Sequence, residues 1–249
     1  MDNKTKMVMM IALLMATVML TACRRVTIVS NSIVAGECEK VTESKLNNNN
    51  GETWVYTKHV WPGSTAYNNP INHEIYSSGV VSAFGLPDVI VLSFATNEMV
   101  RVTDGVISFE SALQSMHTLI NQGVAAGATC IVLLEASHSI WGDPSTNPTF
   151  SMNMDRWFDH WHNLVGDNEF LGISYQFLIA DISAQVHADP ERYLVDYIHL
   201  NQAGAELAAQ AITDQVNLCP EGRWLFGEDA PRPDAEFPKN PYTEYVVPD

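Results

Sequence analysis

The chain has 249 residues, 46% of them apolar, which is enough to bury one sizeable core. Its 29 acidic against 13 basic side chains give a formal charge of -16. That balance argues against a nucleic-acid partner, because phosphate contacts need clustered lysine and arginine. The acids are scattered, so they read as a solvated acidic surface.

At the N-terminus, Lys4 and Lys6 precede an apolar run from Met7 to Leu20. The run is too short for a comfortable membrane span and suits the apolar centre of an export signal. Leu20-Thr21-Ala22-Cys23 follows and resembles a bacterial lipobox, in which Cys23 becomes the lipidated first residue. An ordinary signal peptide and an uncleaved signal anchor are the alternatives, although Leu20 is large for an ordinary cleavage site. On this reading residues 1–23 direct export and residues 24–218 form the domain. A lipid or signal anchor then holds the protein to a membrane outside the cytoplasm. Residues 219–249 hold six of the 12 prolines and read as an extended tail.

Within the domain, Val26 to Val29 reads as a strand starting about three residues after Cys23. Asn47 to Gly51 is a loop, and Trp54 to Val60 alternates as a second strand. Asn72 to Phe84 reads as a helix closed by Gly85 and Pro87. Val89 to Phe94 is a nearly continuous apolar run, as in a strand covered on both faces. Ser108 to Ala125 has helical spacing, Thr129 to Leu134 is another buried strand, and Met154 to Leu164 is a helix. Tyr175 to Ala180 is the next strand, and Asn201 caps a final alanine-rich helix running to Val216. Strands alternating with helices predict an α/β fold: three layers, α/β/α, around a parallel, flavodoxin-like sheet. Ligands in such sheets collect at the carboxyl ends of the strands.

The cysteines are Cys23, Cys38, Cys130 and Cys219. No C-x-x-C pair occurs, which argues against a zinc site. Cys130 lies in an apolar run and reads as a buried thiol. A Cys38–Cys219 disulfide is possible in an exported protein, though sequence does not establish it.

Chemistry concentrates in Val195-Asp196-Tyr197-Ile198-His199-Leu200-Asn201. An acid three residues before a histidine can turn its carboxylate onto the ring, fixing the tautomer and stabilising the imidazolium. Such a pair needs a nucleophile, and Ser32 stands just after the first strand. The order Ser…Asp…His suits acyl transfer.

Four segments then fall in order: Val29-Ser30-Asn31-Ser32-Ile33, Val60-Trp61-Pro62-Gly63-Ser64, Phe94-Ala95-Thr96-Asn97-Glu98, and Asp196 to Asn201 with Gly204 beyond. Together they resemble the SGNH hydrolases, or GDSL esterases, over roughly residues 26 to 216. The resemblance implies Ser32 as nucleophile, His199 as general base and Asp196 as the group that orients it. It also implies an oxyanion hole of the Ser32 and Gly63 backbone N–H groups and the Asn97 amide. It implies no metal and no organic cofactor. The first block reads Ser-Asn-Ser where Gly-Asp-Ser is usual. Ala95 and Glu98 stand where glycine and aspartate are common.

The expected substrate is an ester-bearing glycan or small molecule, with an acetyl group foremost and a lipid ester as the next choice. The same residues would serve an O-acyltransferase on glycans, and the altered first block would suit an inactive glycan-binding homologue. Trp61, two residues before Gly63, is the tryptophan placed to stack on a sugar; Trp141, Trp157 and Trp161 read as core. Asp155, Asp159, His160 and His162 read as a polar helix face rather than a metal site, and Glu135 and His138 as either cleft lining or solvated loop.

Overall fold

The structure is a computed structural model that describes residues 23–34, 36–48, 53–136, 147–196 and 198–220. The strands are β1 (Cys23–Ser30), β2 (Thr53–Val60), β3 (Val89–Ser93), β4 (Cys130–Glu135), β5 (Gly166–Phe170) and β6 (Ile173–Asp181). They form one sheet in the order β2-β1-β3-β4-β6-β5, parallel except for the antiparallel pairing of β5 with β6. The parallel part has the flavodoxin-like order, with its reversal between β1 and β3.

Nine helices lie among the described residues: α1 (Glu37–Asn47), α2 (Pro70–Ser78), α3 (Val80–Phe84), α4 (Thr96–Thr103), α5 (Phe109–Ala125), α6 (Pro148–His162), α7 (Ser183–Ala188), α8 (Pro190–Tyr193) and α9 (Gln202–Val216). Every residue of β3 and β4 is buried, which explains their unbroken apolar runs. Alternate side chains go to opposite layers. Ile90, Leu92, Ile131 and Leu133 pack with α5 and α6, where Trp157 and Trp161 are fully buried. Val89, Val91, Val132 and Leu134 pack with α1 and α9 on the other side. Burying each such branched side chain contributes about 1.5–3 kcal/mol.

Four expectations need correction. β1 begins at Cys23 itself, paired with Thr53, because β2 is long enough to extend the ladder downward. The helix expected over 72–84 is two helices, broken at Gly79, whose φ of 86° ends the first. α1 has no counterpart in the sequence reading. Its buried stripe is only Cys38, Thr42 and Leu46, and apart from Val41 the rest is charged or polar. Finally, Cys219 is bonded to Cys130, not to Cys38. Cys130 opens β4, and the turn after α9 brings Cys219 over it. Cys38 is instead a free thiol, pushed up to about 12 by burial. Arg24 Nη2 fastens the same corner by donating to the carbonyls of Cys219 and Pro220.

Candidate active site

The sheet delivers its reactive residues at one pole, the carboxyl ends of the parallel strands. Ser32 lies in the turn after β1. Asn31 Oδ1 accepts from the backbone N–H of Ile33 at 3.0 Å, closing an Asx turn that lifts Ser32 while Ile33 and Val34 drop into the core. This bond needs only a carbonyl oxygen, so asparagine serves here as aspartate would. Ser30 is fully buried, and its hydroxyl donates to the carbonyl of Asn31.

Asp196 and His199 sit in a clasp between α8 and α9. Leu194 and Leu200 form an antiparallel bridge, and the N–H of Val195 donates to the carbonyl of His199. Asn201 secures the base of the clasp. Its Oδ1 caps α9 by accepting from Gly204, and its Nδ2 donates to the carbonyls of Arg192 and Leu194. A Cβ on Gly204 would collide with the Tyr193 carbonyl and the Leu200 side chain, so only glycine lets α9 start this close to α8.

The clasp aims the ring. His199 Nδ1 is 2.7 Å from Asp196 Oδ2, and His199 Nε2 is 3.0 Å from Ser32 Oγ. Asp196 Oδ1 also accepts from the backbone N–H groups of His199 and Ile198. These bonds, the His199 backbone one foremost, hold the Asp196 carboxyl down to about 2 although the residue is exposed. The carboxylate is therefore charged at any ordinary pH. With Nδ1 carrying the proton, Nε2 is left as the acceptor for the serine hydroxyl.

Gly63 lies in the loop after β2 with φ 77°, a conformation that favours glycine; a Cβ there would meet nothing within 4 Å. Backbone demand, rather than crowding, thus accounts for the glycine. The N–H groups of Ser64, Thr65 and Ala66 go to the Trp61 carbonyl, Asn68 Oδ1 and Glu98 Oε1. Gly63 N–H, in contrast, has no hydrogen-bond partner among the described residues, and neither has Ser32 N–H. Asn97, in the first turn of α4, donates from Nδ2 to the Ser64 carbonyl at 2.8 Å, which leaves its second amide hydrogen uncommitted. Trp61 is exposed, with its backbone pinned to the Ser30 carbonyl.

Two supporting residues escaped the sequence reading. Asn69 is buried. Its Nδ2 reaches the Ser30 and His59 carbonyls and Ser64 Oγ, tying the ends of β1 and β2 to the Gly63 loop, while Oδ1 caps α2. The Asn69-Pro70 pair, overlooked in a helix expected from Asn72, is a signal that could have pointed to the cap but not to these bonds. Glu98 is buried against the same loop, and burial pushes its carboxyl up to about 7.

The polar residues of α6 are a solvated face, as expected: Asp155 and Asp159 are exposed and Trp157 and Trp161 are core. However, His160 Nε2 lies 2.8 Å from His117 Nε2, and burial drives His117 down to about 4 with His160 adding to the effect. His162 meets the buried Glu135 at 2.8 Å. Among the described residues no three His, Cys, Asp or Glu side chains converge as a metal site. His138 and Trp141 lie outside the described residues.

No family model matches the sequence, and no curated protein matches it. Solved structures do. An acetylxylan esterase from Geobacillus stearothermophilus, in a catalytic-mutant form, superposes with a TM-score of 0.54 at 13% identity, over 82% of this chain and 97% of that one. A protein from Slackia heliotrinireducens, provisionally described as an SGNH hydrolase, gives 0.54 at 17% over 78% and 99%. A lipase from a goat-rumen metagenome gives 0.59 at 12% over 80% and 99%. The chain therefore has the three-layer fold of the SGNH hydrolases.

Proposed function

We propose that this protein is a serine esterase that cleaves acyl esters of carbohydrates, acetyl foremost, through an acyl-enzyme on Ser32. One observation carries the proposal: Ser32 Oγ, the His199 ring and the Asp196 carboxylate form a continuous hydrogen-bonded line. In the first step Nε2 of His199 takes the Ser32 proton as Oγ bonds to the ester carbon. The Ser32 and Gly63 N–H groups and the Asn97 amide stabilise the oxyanion. The C–O bond to the alcohol then breaks, and His199 returns the proton to the departing oxygen. Water repeats the sequence on the acyl-serine, releasing the carboxylic acid and restoring Ser32.

The acetyl preference is supported by the acetylxylan esterase that shares the fold. The carbohydrate preference is supported by the exposed Trp61 and by the acetylxylan esterase with the same fold. The side chains of His199 and Asp196 are 41% and 53% exposed, so water reaches the acyl-serine and hydrolysis is favoured over transfer to a sugar hydroxyl. An intact acid–base–nucleophile line likewise favours catalysis over mere glycan binding. The apolar run before Cys23 supports export and tethering to a membrane at that residue.

The test is turnover of an aryl acetate beside Ser32→Ala, with intact mass after fluorophosphonate treatment. Wild type should turn over and gain one adduct, and Ser32→Ala should do neither. Equal rates for the two proteins would refute the proposal.

A further inference from the structure

Helix α4 grips the Gly63 loop with three side chains from its first two turns. Asn97 Nδ2 donates to the Ser64 carbonyl at 2.8 Å. Glu98 Oε1 accepts from the Ala66 N–H at 2.6 Å. Arg101 donates to the Tyr67 hydroxyl, and its guanidinium lies over the Tyr67 ring. The loop is also held by its own turns, by Asn69 and by Asn72, whose Nδ2 donates to the Ala66 and Tyr67 carbonyls, and these contacts together set where Gly63 sits. Of the three, only Glu98 is fully enclosed, at 1% exposure, and its Oε2 is buried with no hydrogen-bond partner among the described residues. A buried carboxylate is costly unless it is bonded. Among the described residues, the one hydrogen bond it makes beyond its own residue goes to this loop.

We infer that Glu98 is a positioning residue for the oxyanion hole, fixing the Gly63 loop through Ala66 so that the Gly63 N–H and the Asn97 amide point at one place. The inference rests on the esterase reading above. Glutamate where the resemblance leads one to expect aspartate then has a physical reason. The carboxyl must cross from the first turn of α4 to the backbone of Ala66, and the additional methylene supplies reach. An acceptor oxygen is what the position needs, and a full charge is not. Burial already raises the Glu98 carboxyl to about 7, so near neutrality a share of the molecules hold the loop with a protonated group. The carbonyl oxygen of that neutral acid still accepts.

The test compares wild type, Ser32→Ala, Glu98→Leu and Glu98→Gln on an aryl acetate, with melting curves to establish folding. Glu98→Leu removes the acceptor and should lower kcat by about 10- to 100-fold, as expected when donors shift by about an ångström. KM should change by less than about threefold, since the loop is assigned to transition-state stabilisation. Glu98→Gln keeps the acceptor and should recover kcat to within about threefold. Should Glu98→Leu fail to fold, Glu98→Asp tests the reach, and the same kcat loss is expected. Full kcat in Glu98→Leu, or in Glu98→Asp where that stands in, would overturn the inference. So would equal defects in Glu98→Gln and Glu98→Leu. In either case the esterase reading would stand, provided wild type still outpaced Ser32→Ala. Equal rates for wild type and Ser32→Ala would remove both.

Discussion

Asp196 holds His199 twice. One carboxylate oxygen meets the ring at Nδ1, and the other accepts the backbone N–H of the same histidine at 2.6 Å. Side chain and main chain of the base are thus referenced to one rigid group, and the ring cannot swing without straining the turn.

Replacing Asp196 with Asn separates these functions. Oδ1 of asparagine still accepts from both backbone amides, so the clasp should survive. Its NH₂ group faces ring Nδ1 and imposes the other tautomer, placing the proton on Nε2 where the Ser32 proton must go. We expect kcat to fall on the order of 10²–10⁴ with the melting temperature nearly unchanged. Retained activity in steady-state assays would remove Asp196 from the mechanism.

The depressed Asp196 carboxyl also has a pH signature. Its native value, about 2, lies below the ordinary 3.8, so any stability it contributes is complete above 3.8 and fades as pH falls toward 2. Protonating the carboxylate would release its hold on the His199 ring, so kcat/KM should collapse once pH falls into that range. A kcat/KM profile unchanged through the carboxylate range would contradict this role.

Asn97→Ala should lower kcat by on the order of 10²–10³, the usual loss for one oxyanion donor. The substitution also leaves the Ser64 carbonyl without its amide. Loop displacement should consequently add to the defect and make it non-additive with Glu98→Leu. A loss below about threefold would place the amide outside the hole.

The Cys130–Cys219 bond closes a segment spanning 89 positions, at the start of β4 and far from the strand ends that carry Ser32. Chain-entropy arguments give such a loop about 4–5 kcal/mol as an upper figure. Reduction, or Cys219→Ser, should lower the midpoint of denaturant unfolding and leave kcat at 25 °C unchanged. A parallel loss of kcat in the still-folded protein would show coupling between the poles.

Trp61 offers an exposed ring beside the Gly63 loop. If it stacks on sugar, Trp61→Ala should raise KM for an acetylated oligosaccharide by about three- to tenfold, from ~0.5–1.5 kcal/mol of stacking. KM for an aryl acetate should not move by the same factor. Equal changes for both would make Trp61 a general wall of the cleft.

The legible parts of this molecule are those whose signal is local. Asp196 and His199 are three residues apart, and Ser32 follows a short apolar strand, so residue type and spacing exposed them together. α5 and α9 were legible because apolar side chains recur along one face over many turns. α1 was not, since three buried positions among charged neighbours make too narrow a stripe. β5 reads Gly-Asp-Asn-Glu-Phe, an edge strand with almost no apolar face. Cys130 has the same neighbours as a disulfide partner or as a lone thiol, and only the path of the chain after α9 decides between them. Glu98 looked like a departure from a pattern, because its reach to Ala66 crosses 32 positions that no local rule connects.

β1 sets the geometry of attachment. It starts at Cys23 and ends two residues short of Ser32, and eight strand residues cover about 26 Å. Anything fastened at Cys23 therefore sits at the foot of the domain, with the reactive hydroxyl at its crown. Mounted that way on a bilayer, the protein would present its hydroxyl outward, and the lipid beneath would be out of its reach.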